Sequence, residues 1–160
     1  MELFEPYDGD ASVQAVRDFF NRDDPDNPCN YWRIKRRYEA MFSLGGQSGD
    51  ITGVRSSNGG NRTEEKWLDG NKYERALKAI GFGVLGCTKQ SQDILNARYL
   101  KPDEEREKVW HLSKRLGLTG GNHYQKADYT ACYEFADAMD VIVSQARVEE
   151  VIPQFLRKRN

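Results

Sequence analysis

VWHLSKRLGLTGGNHYQKADYTACYEF, residues 109–135, holds two helical patterns separated by a glycine. Val109, Leu112 and Leu116 repeat at i, i+3 and i+7, an apolar stripe one helix face wide. Gly117 follows, the residue type that takes a left-handed backbone at no steric cost and so ends a helix. Leu118 plugs the angle between the helices, and Thr119 offers a hydroxyl to cap the second. Beyond Gly120-Gly121, Tyr124, Ala127, Ala131, Phe135, Ala138, Met139 and Ile142 recur at spacings of 3, 4, 4, 3, 1 and 3. This is the clearest amphipathic pattern in the chain. The order helix, glycine turn, helix is that of a helix-turn-helix, and the Gly-Gly pair delays the second start by a residue or two.

The core stripe decides which residues face out. With Tyr124 inward and about 100° per residue, Asn122, Lys126, Tyr129 and Tyr133 point away, flanked by His123, Gln125 and Thr130. Asn and Gln bond adenine edges in two places, and Lys reaches guanine or phosphate. Thr119, Asn122, His123, Gln125, Lys126 and Tyr129 are therefore the base-reading candidates. Lys114 and Arg115 close the first helix and are candidates for phosphate, a contact that sets register without reading sequence.

Upstream, Ser91–Leu100 reads as a helix ended by Lys101-Pro102. Pro102-Asp103-Glu104-Glu105 then opens the helix that runs to Gly117, its acids near the positive dipole end. Residues 81–86, GFGVLG, match G-x-G-x-x-G by letter. The preceding pattern is helical and no acid stands at the ribose position, so a small-residue helix end is expected rather than a dinucleotide site. Thr63, Glu64 and Glu65 mark the start of that helix, which carries Trp67, Leu68, Leu77 and Ile80. Before it, residues 45–61 (GGQSGDITGVRSSNGGN) have linker composition, costly to order and burying little. Asn30–Phe42 reads as a helix with Tyr31, Ile34, Tyr38 and Met41 or Phe42 inward. Its basic face, Arg33, Lys35, Arg36 and Arg37, supplies further phosphate candidates. Asp10 caps a first helix with Val13, Val16, Phe19 and Phe20 inward, stopped by Asp23-Asp24-Pro25. At the other end Pro153 limits the long helix, and residues 155–159 form a basic tail. No strand is expected.

The reading is thus all-α: a helical arm over 1–44, a Gly/Ser-rich linker over 45–62, a helical domain over 63–147 containing the helix-turn-helix, and a basic tail over 148–160. The 160 residues have 24 Lys+Arg against 25 Asp+Glu. That average conceals an acidic segment, −6 over residues 1–28, and a body of +5. The acids repel DNA and serve solubility, shield the basic body or meet a basic partner. With hydrophobic residues at 38%, part of the chain is expected to be extended. No apolar run approaches the ~20 residues of a membrane helix. Three widely spaced cysteines exclude a disulfide framework and a CxxC zinc site, and no secretory signal is visible, so a reducing cytoplasm is expected. His111 and His123 have no partners at metal-ligand spacing, and Cys132 lies near a core stripe. Neither an enzyme, a metal nor a cofactor is expected.

Asp93-Ile94-Leu95-Asn96-Ala97-Arg98-Tyr99-Leu100 followed by Leu112-Ser113-Lys114-Arg115-Leu116-Gly117-Leu118-Thr119 resembles the fourth conserved region of bacterial sigma factors. The fuller layout is similar to the ArpU family of phage transcriptional regulators. The likeness takes in Val16-Arg17-Asp18-Phe19-Phe20, the Gly/Ser-rich middle, and Tyr124 with Ala131-Cys132-Tyr133-Glu134-Phe135-Ala136. It departs at Gly120-Gly121 and in the weakly basic second helix. The resemblance implies activation of late phage genes from promoter DNA together with host RNA polymerase, in the bacterial cytoplasm and nucleoid, as a monomer or homodimer. Two other readings use the same helices: a protein-interaction adaptor without DNA affinity, and a small terminase-like packaging subunit.

Overall fold

The computed structural model describes residues 6–21 and 26–160, except 52–59 and the side chains of 44–51 and 60–71. Within these residues the chain is helical, with one two-residue ladder. The order is β1 (Tyr7–Asp8), α1 (Gly9–Asn21), α2 (Tyr31–Ile51), α3 (Gly60–Leu85), α4 (Lys89–Ile94), α5 (Val109–Arg115), α6 (His123–Ala146) and β2 (Arg157–Lys158). No helix among the described residues is long and apolar enough to cross a membrane.

α1 begins two residues earlier than the spacing suggested. Asp8, not Asp10, is the cap: its carboxylate accepts the Ala11 N–H at 3.1 Å, and its carbonyl accepts the Ser12 hydroxyl at 2.7 Å. Val13, Val16, Phe19 and Phe20 are all buried, as expected. Asn30 caps α2 by accepting the N–H groups of Trp32 at 2.9 Å and Arg33 at 3.4 Å. Tyr31 and Ile34 are buried and Tyr38 and Met41 pack on the core, whereas Phe42 is 72% exposed.

The stretch read as a linker is partly helical. α2 continues through Gly45 and Gly46 to Ile51, and α3 starts at Gly60, three residues before Thr63. Residues 52–59 and the side chains of Trp67 and Leu68 lie outside the described residues. Tyr73, Ala76, Ile80 and Val84 form the buried face of α3. GFGVLG is the end of this helix, as expected, and its middle glycine has a packing reason. A Cβ on Gly83 would stand 2.5 Å from Met139 Sδ and 3.1 Å from Phe135 Cε2, so these two α6 side chains pack directly on the α3 backbone at this point.

After α4 the helix widens to a π-helical turn over Leu95–Tyr99, where Leu100 N–H reaches back to Leu95 O at 3.0 Å. The helix expected to run unbroken from Asp103 is interrupted. Asp103–Glu105 form one 3-10 turn, Arg106 is extended, and Glu107 N–H bonds Ala97 O at 3.2 Å. That return to the preceding helix prevents residues 106–108 from continuing as a helix, so α5 starts only at Val109. Val109, expected inside, is consequently exposed.

Both α1 and the segment after α6 enter the core. The arm packs through α1 against α6, and the tail supplies buried Val148, Val151, Ile152, Phe155 and Leu156. α6 stops well before Pro153. Arg147 takes a left-handed conformation (φ 55°), and Val148 N–H bonds Val143 O at 3.2 Å. The tail then returns so that Arg157 and Lys158 pair antiparallel with Asp8 and Tyr7, a ladder absent from the expectation. Cys87 and Cys132 are buried, and burial pushes both thiols up to about 12; no cysteine is paired.

Two glycines of α3, Gly81 and Gly83, make opposite predictions. Gly81 has open space around a built Cβ, so Gly81→Ala should stabilise the fold by about 0.5–1 kcal/mol through helix propensity alone. Gly83→Ala should destabilise by about 1–2 kcal/mol, because overpacking against Phe135 and Met139 exceeds that gain. Urea unfolding of the two variants measures both signs.

Candidate nucleic-acid interface

α5 is held by Leu112, fully buried, and Ser113, nearly so. Its C-terminus closes as the sequence anticipated. Gly117 has φ +72°, its N–H bonds Lys114 O at 3.3 Å, and Leu118 N–H bonds Ser113 O at 2.7 Å. These two bonds satisfy carbonyls that a helix end leaves open. The second helix starts later than expected. Gly121 is also left-handed (φ +48°), His123 N–H bonds Gly120 O at 3.0 Å, and α6 begins at His123. Thr119 therefore lies in the connecting loop, exposed and not a cap. Asn122 occupies the cap position without a side-chain cap bond.

Thr119, Asn122, His123, Gln125 and Lys126 are all exposed, gathered on the loop and first turn of α6. Tyr129 is not available with them. It is half-buried, and its hydroxyl donates to Asp10 Oδ1 at 2.9 Å. Burial and the Asp10 carboxylate push its phenol up to about 12. Gly9 passes so close that a Cβ there would stand 2.5 Å from the Tyr129 hydroxyl. Tyr133 is half-buried on the same side. The single-stripe reading failed for both because α6 is packed on two sides, against α1 on one and α3 with α4 on the other.

The expected phosphate ligands divide. Lys114 is exposed at the end of α5. Arg115 forms a two-pronged pair with Glu107, Nε to Oε1 at 3.1 Å and Nη2 to Oε2 at 2.9 Å, while His111 Nδ1 lies 2.9 Å from Oε1. The bonds from Arg115, aided by His111, hold the Glu107 carboxyl below the usual range. On α2, Arg33 donates to Pro28 O at 3.0 Å, Lys35 sits 5.6 Å over the Trp32 ring and Arg37 5.2 Å over Tyr73; Arg36 is exposed. The main contacts of α2 are with α1 and α3. These bases are thus not assembled with the α6 surface into one site.

Behind the first turn of α6 lies a polar centre that sequence reasoning missed. Asp128 is buried, and its Oδ2 accepts Arg17 Nη2 at 2.8 Å. The Tyr99 hydroxyl lies 2.9 Å and 2.8 Å from the two carboxylate oxygens, and Tyr124 OH lies 3.5 Å from Oδ1. Burial opposes the Arg17 charge, but the bonds to Asp128 and Tyr99 outweigh it and raise the guanidinium pKa. Burial, then the Asp128 charge, pushes Tyr124 up to about 12, with Arg98 pulling the other way. A signal existed: Asp128 stands at i+4 from Tyr124 and i+3 before Ala131, on the inward stripe, where an acid needs a partner.

Asp128→Ala should destabilise the fold by about 2–4 kcal/mol. It strands the Arg17 charge and the Tyr99 hydroxyl, and the partial exposure of Arg17 keeps the loss at the lower end for a buried pair. Tyr99→Phe, which removes one donor and leaves the ion pair, should cost about 1 kcal/mol. Thermal unfolding of both variants checks the ranking. No family model matches the chain, and neither a curated protein nor a solved structure matches it.

Proposed function

We propose that the chain is a sequence-specific, double-stranded-DNA-binding transcription regulator of the ArpU kind, an activator of late phage genes acting with host RNA polymerase. The observation that supports this reading is the glycine-closed α5 followed by an α6 whose first turn and preceding loop expose Thr119, Asn122, His123, Gln125 and Lys126 together. Side-chain amides on an exposed first turn suit adenine edges in the major groove, and Lys126 suits guanine or phosphate. Lys114, at the end of the preceding helix, supplies a phosphate contact beside them. With Arg115 already paired to Glu107 and the α2 bases on other contacts, few phosphates are neutralised. Binding is therefore modest and salt-sensitive.

Changing Asn122, Gln125 and Lys126 together to Ala should abolish sequence-specific gel-shift binding to promoter DNA from the protein's own genome, with folding unaltered since all three are exposed. Unchanged specific binding by the folded triple variant would overturn the assignment.

A protein-interaction adaptor is the second reading, favoured by one observation. Phe82 and Leu85 of α3 and Val141 of α6 are 61%, 67% and 57% exposed, and Trp110 of α5 is 67% exposed. Apolar side chains so far out of the core are a common mark of protein contact surfaces. An adaptor has no sequence-dependent affinity for any duplex at moderate salt.

A further inference from the structure

A cavity of about 240 Å³ opens between the C-terminal end of α1, the 98–109 segment and the start of α6. At ~30 Å³ per water in the liquid it holds several solvent molecules or one tetrahedral oxyanion with part of its hydration. Its walls carry Arg17, Arg98 and Arg106, the phenol of Tyr124, the amide of Gln125 and one carboxylate, Asp128. Among the described lining residues three cations face one anion, and a concave low-dielectric wall concentrates the positive excess.

The carboxylate does not cancel the attraction. Both Asp128 oxygens are occupied, by Arg17 at 2.8 Å and by the Tyr99 hydroxyl at 2.9 Å and 2.8 Å. The other two guanidiniums are held in place mainly by neutral acceptors. Arg106 donates to Lys101 O at 2.9 Å, Asn21 Oδ1 at 2.9 Å and Phe20 O at 3.2 Å, and it also pairs with Asp103, 83% exposed, at 3.3 Å. Arg98 donates to Glu107 O at 3.0 Å and lies beside Tyr124. The Arg98 fork is fixed by a carbonyl that leaves its charge uncompensated, whereas Arg106 is partly balanced by Asp103 and by the C-terminal end of α1. Tyr124 and Gln125 belong to the first turn of α6, whose open N–H groups and dipole add positive potential on the same side.

We propose that this cavity is a binding site for a phosphate-class oxyanion, with Arg98 and Arg106 as its ligands and the first turn of α6 as its rim. Planar guanidiniums in fixed orientation match phosphate oxygens in pairs. The site rests on the cavity and not on the DNA reading. The phosphate has two sources in principle, a free phosphate or mononucleotide and the backbone of a duplex.

The test titrates inorganic phosphate into the full chain at constant ionic strength balanced with chloride, read by the NMR shift of the Gln125 side-chain amide. A saturable shift in the millimolar range or below, displaced by sulfate, is expected. Arg98→Gln should weaken it roughly tenfold, the worth of one charge-assisted bond, and Arg98→Lys should restore part. If Arg98→Gln fails to fold, Gln125→Glu, an exposed position, places a negative charge at the rim and should weaken phosphate equally, read by phosphate-dependent thermal stabilisation. A non-saturating shift, or binding unchanged in the folded variants, overturns the proposal. A mononucleotide and a short duplex of random sequence then assign the source. Arg98-dependent displacement of phosphate by the duplex identifies the DNA backbone, and displacement by the mononucleotide alone identifies a free anion.

Discussion

Phe20 is the residue on which the arrangement of helices depends. Its ring lies 4.9 Å from Phe19, 5.1 Å from Tyr31 of α2, 6.1 Å from Tyr99 of the π-helical turn and 5.3 Å from Phe135 of α6. One fully buried side chain thus joins α1, α2, the π-helical turn and α6, edge-on to Phe19, Tyr99 and Phe135, a geometry aromatic rings prefer, and tilted against Tyr31. Burying it also buries the end of α1, whose last carbonyls have no helical partners. The Phe19 carbonyl accepts Asn30 Nδ2 at 3.4 Å, and the Phe20 carbonyl accepts Trp32 Nε1 and Arg106 Nη2. The sequence far from α1 therefore answers a need that α1 creates. Arg106, a cation at the negative end of a helix dipole, does so most directly.

The same burial shapes the functional surface. Because α1 occupies one flank of α6 and α3 the other, α6 exposes its beginning and one narrow side. Asp10 and Gly9 close over Tyr129, and Arg17, a turn before Phe20, closes over Asp128. The polar centre beneath the first turn of α6 ties that turn to α1 and to Tyr99, so the exposed side chains of residues 122–126 stand on a fixed support. Acids that looked like a solvated arm are in part structural: Asp8 caps α1 and Asp10 binds α6.

The local pattern was legible wherever a helix has one apolar stripe and a chemical stop. Val13, Val16, Phe19 and Phe20, Ile80 of α3, and Ala131, Phe135 and Met139 are buried as their spacing required. Gly117 ends α5 with the left-handed turn its position implied. Two kinds of feature were illegible. Some boundaries moved: Glu107 N–H on Ala97 O breaks the expected helix, and Arg147 ends α6 in a left-handed conformation with no glycine present. Faces packed twice were misread, since periodicity finds the centre of a buried arc but not its width; Tyr129 and Tyr133 fell inside it.

The sequence by itself determined an all-helical chain, most of its core residues, and a glycine-hinged pair of helices with exposed polar groups at the second start. Those follow from propensity, spacing and backbone sterics, all local quantities. Tertiary structure alone decided that the acidic segment and the basic tail belong to the core, that chain ends pair at Tyr7–Asp8 and Arg157–Lys158, and that Arg17, Arg98, Arg106 and Asp128 meet around one cavity. Each of these joins residues dozens of positions apart. Their partners are chosen by which surfaces must be covered when Phe20 is buried, and no window of local sequence carries that information.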